Sequence, residues 1–335
     1  MNILTEQAAR IISLEIQGAT EIALFSIRCL NEFAQRHKDE PKAKLWRLIR
    51  DAEQVLVQTR STEPTMRNAL AYILGNVLEE KKRKVSPLNI AESIDKYTKL
   101  CENEIKDAKE KIAAIGAKRI PKDPRERFTV MTHCHSSIVE AILIEAHKQG
   151  RKFDVICTET RPKFQGRITA KVLSNAGIKV QMVVDSAMRW ACKNEGVDII
   201  FIGADAVTSE GTVMNKIGSR LLALVAEEEN IPFYVATPLF KYNLGTLTGE
   251  LEKIERRNVD ELWSAQECKH IGIRPDAVGI LDPAFETVAR KYIAGVITEI
   301  GLFPADHTHF MFEKKYPFLV NSFHCKPDEF EGWDY

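Results

Sequence analysis

The sequence predicts an α/β protein in which a helical N-terminal domain, residues 1–120, precedes a doubly wound parallel-sheet domain, residues 121–335. Three observations predict it. Apolar residues recur at three- and four-residue steps up to about Ile120 and lose that period afterwards. Five short β-branched runs then alternate with helical patterns, the signature of a parallel sheet covered on both faces. Each of those runs ends in ionisable or hydrogen-bonding residues, where open α/β sheets bind their ligands.

In the first half the pattern Leu45, Trp46, Leu48, Ile49 typifies amphipathic helices. Breakers at Gly18, Asp39-Glu40-Pro41, Ser61-Thr62-Glu63-Pro64 and Ser86-Pro87 mark helix starts and predict about five helices. The last, from Pro87 to about Ala117, carries Ile90, Ile94, Tyr97, Leu100, Cys101, Ile105, Ala108, Ile112 and Ile115 on one stripe. In the second half the predicted strands are 128–132, 153–158, 179–184, 197–203 and 232–237. Helices are predicted near Ser136 to Gln149, Gly166 to Ala176, Ser186 to Asn194 and Lys216 to Glu229.

Lys+Arg and Asp+Glu balance at 47 each among 335 residues, so no global field draws nucleic acid or an anionic membrane, and any anion site is local. Glu6, Arg10 and Glu15 interrupt the apolar N-terminal pattern, which argues against a signal core or a membrane span there; a cytoplasmic protein is expected. The seven cysteines, 29, 101, 134, 157, 192, 268 and 325, form no CxxC pair and fit neither a disulfide framework nor a zinc ribbon.

The segment Thr132-His133-Cys134-His135-Ser136-Ser137 follows the first strand. In an extended chain His133 and His135 would point one way and Cys134 the other, so the three would not share a metal; no metal is expected. Cys134 just before a helix start is a candidate thiolate, because the first amides of a helix lower a thiol pKa. Ser136 and Ser137 suit that helix's N-terminus as caps or phosphate ligands. Asp205 ends the apolar run VDIIFIGA, a position suited to a proton carrier. Asn215 and Lys216 read as opening a helix, a grip for phosphate. Lys241, Arg60 and Arg67 are further anion candidates.

THCHSS, TETRPKFQGRITAKVL, VVDSA, GADAV followed by GTVMNKIGS, and PFYVATPLFKYN occur in this order. Together they resemble the superfamily of archaeal ribose-1,5-bisphosphate isomerases, methylthioribose-1-phosphate isomerases and the alpha, beta and delta regulatory subunits of eukaryotic initiation factor 2B. The resemblance spans roughly residues 15 to 300 and implies a helical domain followed by a Rossmann-like domain. It maps the isomerases' cysteine and aspartate onto Cys134 and Asp205, a pair that the regulatory subunits commonly lack. HCHSS and QGRIT resemble the bisphosphate branch more than the methylthioribose branch, which usually reads HCN-T-G and QG-A-R-L-T.

The implied substrate contacts are Gln17, Gly18, Ala19, Thr20, Arg60, His135, Ser136, Ser137, Asn215, Lys216 and Lys241. The implied activity is conversion of ribose 1,5-bisphosphate to ribulose 1,5-bisphosphate in nucleoside salvage, with no cofactor, in a homo-oligomer, dimer or hexamer. The alternatives are a non-catalytic regulatory or nucleotide-sensing subunit and a methylthioribose-1-phosphate isomerase. Two departures bear on that choice. Gln17-Gly18-Ala19-Thr20 stands where the bisphosphate isomerases typically read Arg-Gly-Ala-Gly, and Thr59-Arg60-Ser61-Thr62 stands for their TRPT.

Overall fold

The computed structural model describes residues 2–13, 15, 16, 18–60, 64–83, 89–123, 127–250, 254, 258–274 and 276–324. Gln17, Ser61, the Ser86-Pro87 breaker, Cys325 and the acidic-aromatic end of the chain lie outside these residues.

Among the described residues, five helices occupy the first third: α1 (Asn2–Ile12), α2 (Ala19–Arg36), α3 (Lys42–Thr59), α4 (Pro64–Arg83) and α5 (Ile90–Ala117). Their starts follow the breakers: Gly18 and Pro41 are N-caps of α2 and α3, and Pro64 takes the first position of α4, where its missing N–H is no loss. The α5 stripe is buried at Ile90, Ile94, Cys101, Ala108 and Ile112, whereas Leu100 is exposed.

After α5 the chain runs β1 (Thr129–Thr132), α6 (Ser137–Lys148), β2 (Asp154–Thr158), α7 (Gln165–Asn175), β3 (Val180–Val183), α8 (Met188–Asn194) and β4 (Ile199–Ile202). Next come β5 (Ala206–Val207), β6 (Val213–Lys216), α9 (Ser219–Glu228), β7 (Phe233–Ala236), α10 (Ala265–His270), β8 (Phe285–Val288), β9 (Gly295–Thr298), β10 (Gly301–Phe303), α11 (Thr308–Lys315) and α12 (Pro317–His324). The five predicted strands are β1, β2, β3, β4 and β7.

With β9 and β10 they form a seven-stranded sheet of order β10-β9-β7-β4-β1-β2-β3. All its pairings are parallel except that of β10 with β9. The sheet is wound on both faces, as the alternation along β1 shows. Val130 joins a core with Ile138, Ile142, Leu173 and Phe201, on the side of α6 and α7, while the next residue, Met131, meets Cys192 of α8 at 3.4 Å on the other side. Each such large apolar side chain, fully buried, stabilises by about 1.5–3 kcal/mol.

Strands β9 and β10 and the small antiparallel sheet β5-β6-β8 were not among the predicted strands. β5 has two residues and β6 ends in Asn215-Lys216, so neither shows a β-branched run. That corrects one expectation. Asn215 and Lys216 lie on a strand, and the helix predicted from Lys216 begins three residues later, at Ser219.

The chain forms two compact units, and the helical one is discontinuous in sequence, where the sequence reading draws a single boundary near residue 120. Leu239–Gly249 and the described residues from His309 onward join Met1–Ala108 in it. Aromatic packing accounts for this: Phe240 stacks on Tyr316 at 4.9 Å, Tyr242 lies 4.8 Å from Phe312, and Tyr72 of α4 meets Phe240 edge-on at 5.9 Å. The α/β unit comprises Lys109–Pro238 and Glu250–Thr308.

Candidate active site

Strand order decides where the α/β unit opens a crevice. From β1 the chain moves to β2 and β3 on one side, then returns to β4 on the other, so β1 and β4 flank the topological switch point. Thr132 pairs with Phe201, which brings the segments after β1 and β4 side by side. Those segments carry Cys134 and Asp205. A Cβ on Gly203 would stand 2.6 Å from Ser136 Oγ, so the absence of a side chain there lets the β4 exit close against the start of α6.

Cys134 is not extended. Its φ of 69° is left-handed, rare for a residue with a side chain, and the turn breaks the alternation expected of His133, Cys134 and His135. The two histidines diverge. The His133 Nε2–H donates to the Ile217 carbonyl at 2.8 Å, which leaves Nδ1 to accept from the Thr158 hydroxyl at 2.6 Å. Burial holds this ring below the usual imidazole pKa, and so uncharged. The His135 Nδ1–H donates instead to Glu140 Oε1 at 2.8 Å, a carboxylate in the first turn of α6.

The ring of His133 also rests against Gly218, whose φ is 103°. A Cβ there would lie 2.8 Å from the imidazole. Glycine is needed at this position on both counts.

Burial pushes the Cys134 thiol up to about 12, against the lowering expected from its place before a helix. The reason is geometric. The α6 N-terminus is capped by Ser136, whose Oγ accepts the Val139 N–H at 3.4 Å, and Cys134 precedes that cap by two residues. Among charges, Lys216 pulls the thiol down, while Asp205 and Asp185 push it up. A thiol, two carboxylates and an ammonium therefore share one electrostatic neighbourhood.

Lys216 is 9% exposed, and its Nζ sits 4.6 Å from the Phe285 ring centroid. Among the described residues this ammonium has no hydrogen bond or ion pair. A buried ammonium held only by an aromatic face is costly unless an anion completes it. Its neighbour Asn215, equally buried, donates through Nδ2 to Ser219 Oγ at 2.8 Å, and Ser219 donates to the Lys216 carbonyl at 2.7 Å. The helix N-terminus expected to grip phosphate here is already occupied: Glu286 Oε1 accepts the N–H groups of Gly218 and Arg220. Ser137 is the first residue of α6 and exposed.

The remaining sequence candidates belong to the helical unit. Gly18, with φ 86°, caps α2, and Ala19 and Thr20 open that helix without any side-chain cap. Arg60 is the C-cap of α3. Lys241 ends a short 3-10 turn, Leu239–Lys241, whose backbone is pinned on both sides. Asn68 of α4 donates through Nδ2 to the carbonyls of Phe240 and Tyr242, each at 2.8 Å. Sequence reasoning assigned no role to Asn68, Thr158, Thr160 or Asp185; Thr158 and Thr160 lie in the motif TETRPKFQGRITAKVL and Asp185 in VVDSA, but the partners that give them a role lie far along the chain.

The profile of the initiation factor 2 subunit family, IF-2B, matches residues 15–305. The chain belongs to this family. Among curated relatives, the ribose 1,5-bisphosphate isomerase of Archaeoglobus fulgidus is 36% identical over 94% of this chain and 94% of its own length. Among solved structures, the Pyrococcus horikoshii OT3 translation initiation factor eIF-2B matches with a TM-score of 0.72 at 24% identity, covering 91% of this chain and 98% of that one. The 5-methylthioribose 1-phosphate isomerase of the same organism matches with a TM-score of 0.68 at 26% identity, covering 93% and 88%. These neighbours share the IF-2B fold of helical region and mostly parallel sheet.

Proposed function

We propose that this IF-2B protein is an intramolecular aldose-ketose isomerase that converts ribose 1,5-bisphosphate to ribulose 1,5-bisphosphate, with Cys134 and Asp205 as its acid/base pair. One observation carries the reading: a protonated thiol and a carboxylate stand at the ends of adjacent strands at the switch point, beside a buried ammonium that makes no ion pair among the described residues. The name and 36% identity of the archaeal relative support the same substrate.

In ribose 1,5-bisphosphate the anomeric oxygen is esterified, so ordinary opening of a free aldose is blocked. The C1–O4 bond must break instead, with O4 taking a proton. Cys134, kept protonated by burial, supplies that proton. Asp205 accepts the proton of the 2-hydroxyl as C2 becomes a carbonyl, and the hydrogen on C2 moves to C1. Every electron stays within the substrate, so the scheme draws on no redox group.

Lys216 and Asn215 are assigned to phosphate or to the oxyanion at C2, and Ser136, Ser137 and His135 to the same ligand. Gln17, Gly18, Ala19, Thr20, Arg60 and Lys241 are assigned as substrate contacts from the family resemblance and, for the last two, from their charge. Holding the sugar in one pose supplies a large share of such a rate gain. A cytoplasmic homo-oligomer, dimer or hexamer, acting in nucleoside salvage belongs to the same proposal; no described helix is long and apolar enough to cross a membrane.

Cys134→Ser and Asp205→Asn are expected to abolish isomerisation while leaving the circular dichroism spectrum and thermal midpoint close to those of the parent. Full turnover by either variant removes the mechanism.

A further inference from the structure

The left-handed turn at Cys134 must be held in place, because a side-chain-bearing residue at φ 69° stores strain that its surroundings have to over-determine. Both of its backbone groups are engaged. The Cys134 N–H donates to Thr160 Oγ1 at 3.0 Å, and the Thr169 hydroxyl donates to the Cys134 carbonyl at 3.1 Å. The Thr160 hydroxyl continues the chain to Thr158 Oγ1 at 3.3 Å, which in turn donates to His133. Thr160 and Thr169 therefore hold the thiol-bearing turn from its two sides, and Thr160 is the one that links it to His133.

Thr160 is itself left-handed, with φ 60°. Its loop is fixed from the next strand over. The register of β2 with β3 sets Thr158 beside Val183, so Asp185, two residues beyond, comes level with Thr160. The Asp185 carboxylate spans two successive amides: Oδ1 accepts the Thr160 N–H at 2.8 Å, and Oδ2 accepts the Arg161 N–H at 2.7 Å. These are short, charge-assisted bonds that use both oxygens. An asparagine has one acceptor oxygen and would leave one amide without its partner.

We infer that Asp185 is a positioning residue for Cys134: by clamping the Thr160 and Arg161 amides it fixes the Thr160 hydroxyl that holds the thiol-bearing turn in the crevice. The inference rests on the reading of Cys134 as the proton donor. Asp185 also acts through charge. Three charged groups act on the thiol, Lys216 favouring the thiolate and Asp185 and Asp205 opposing it, with the Gln165 Oε1 amide oxygen 3.6 Å from the sulfur and neutral His133 as its neighbour.

The test uses the full-length chain with three variants: Asp185→Asn, Asp185→Glu and Cys134→Ser. Turnover of ribose 1,5-bisphosphate is measured beside the pH dependence of iodoacetamide labelling at Cys134, read by peptide mass spectrometry. Asp185→Asn is expected to lower kcat about 10²-fold with KM little changed, and to move the labelling midpoint to lower pH. Asp185→Glu, which keeps the charge but not the reach, is expected to lose kcat while retaining the parental midpoint. A lower thermal midpoint with kcat and labelling unchanged would reduce Asp185 to a structural role and overturn the inference. An active Cys134→Ser variant would instead sink the reading beneath it, whereas an inactive one beside a fully active Asp185→Asn sinks the inference alone.

Discussion

The two units present their candidate residues in opposite ways. In the α/β unit, Cys134, Asn215 and Lys216 are more than nine-tenths buried, and Cys134 is tied into a network that runs through Thr160, Thr158, His133 and the Ile217 carbonyl. In the helical unit, Gly18, Ala19, Thr20 and Arg60 stand at helix termini, where backbone groups end without intrahelical partners. The contrast bears on the proposed chemistry: groups that move protons or meet charge out of water need fixed geometry and tuned charge, which the buried residues of the α/β unit supply.

The sharpest way to break that contrast is to show that the network is dispensable. Gly218→Ala forces a Cβ into the His133 ring at a φ of 103°, and is expected to destabilise the fold by about 1–3 kcal/mol or more and to remove turnover. Chemical denaturation together with an activity assay checks both. Lys216→Met separates stability from activity: replacing a buried ammonium that has no ion-pair partner among the described residues by an apolar side chain of similar length is expected to leave stability unchanged or raise it, while kcat/KM collapses. A destabilised Lys216→Met would mean that the ammonium is structural.

On the helical side, Asn68→Ala frees the carbonyls flanking Lys241 and is expected to raise KM more than it lowers kcat, which steady-state kinetics resolves. The smallest effect is on pH. Cys134, Cys101 and Cys157 are held up at about 12, against 9.0 for a free thiol. Their burial therefore stabilises fully below about pH 9, and that stability is lost as pH rises towards 12, because the unfolded thiols ionise first. His133 works in the other direction: with its pKa depressed, its contribution is present above about 6.5 and lost as pH falls below it. Thermal midpoints across pH 5 to about 11 for the parent and for Cys134→Ser read both limbs.

The strands of the main sheet were legible because VMT, DVICT and IIFI are β-branched or apolar runs bounded by polar turns. Strand β6 was not: Met214-Asn215-Lys216 has neither signal, and its pairing with β8 depends on residues some seventy positions away. The candidate pair, Cys134 and Asp205, was visible from its place at strand ends and from the family motifs. Its environment was hidden. Nothing local marks Cys134 as left-handed, and a thiol before a helix reads as acidic until burial outweighs the helix amides. The clamp by Asp185 is equally non-local, since it arises from the lateral register of β2 with β3.

The central claim is tested most directly by incubating the purified full-length protein with ribose 1,5-bisphosphate and, separately, with 5-methylthioribose 1-phosphate, and following the carbonyl carbon of the product by NMR. The account predicts that ribulose 1,5-bisphosphate accumulates from the first and that the second is left unchanged. Turnover of the methylthioribose substrate alone, or of neither while a nucleotide binds tightly, would contradict it and assign the IF-2B fold here to the other isomerase or to a regulatory subunit.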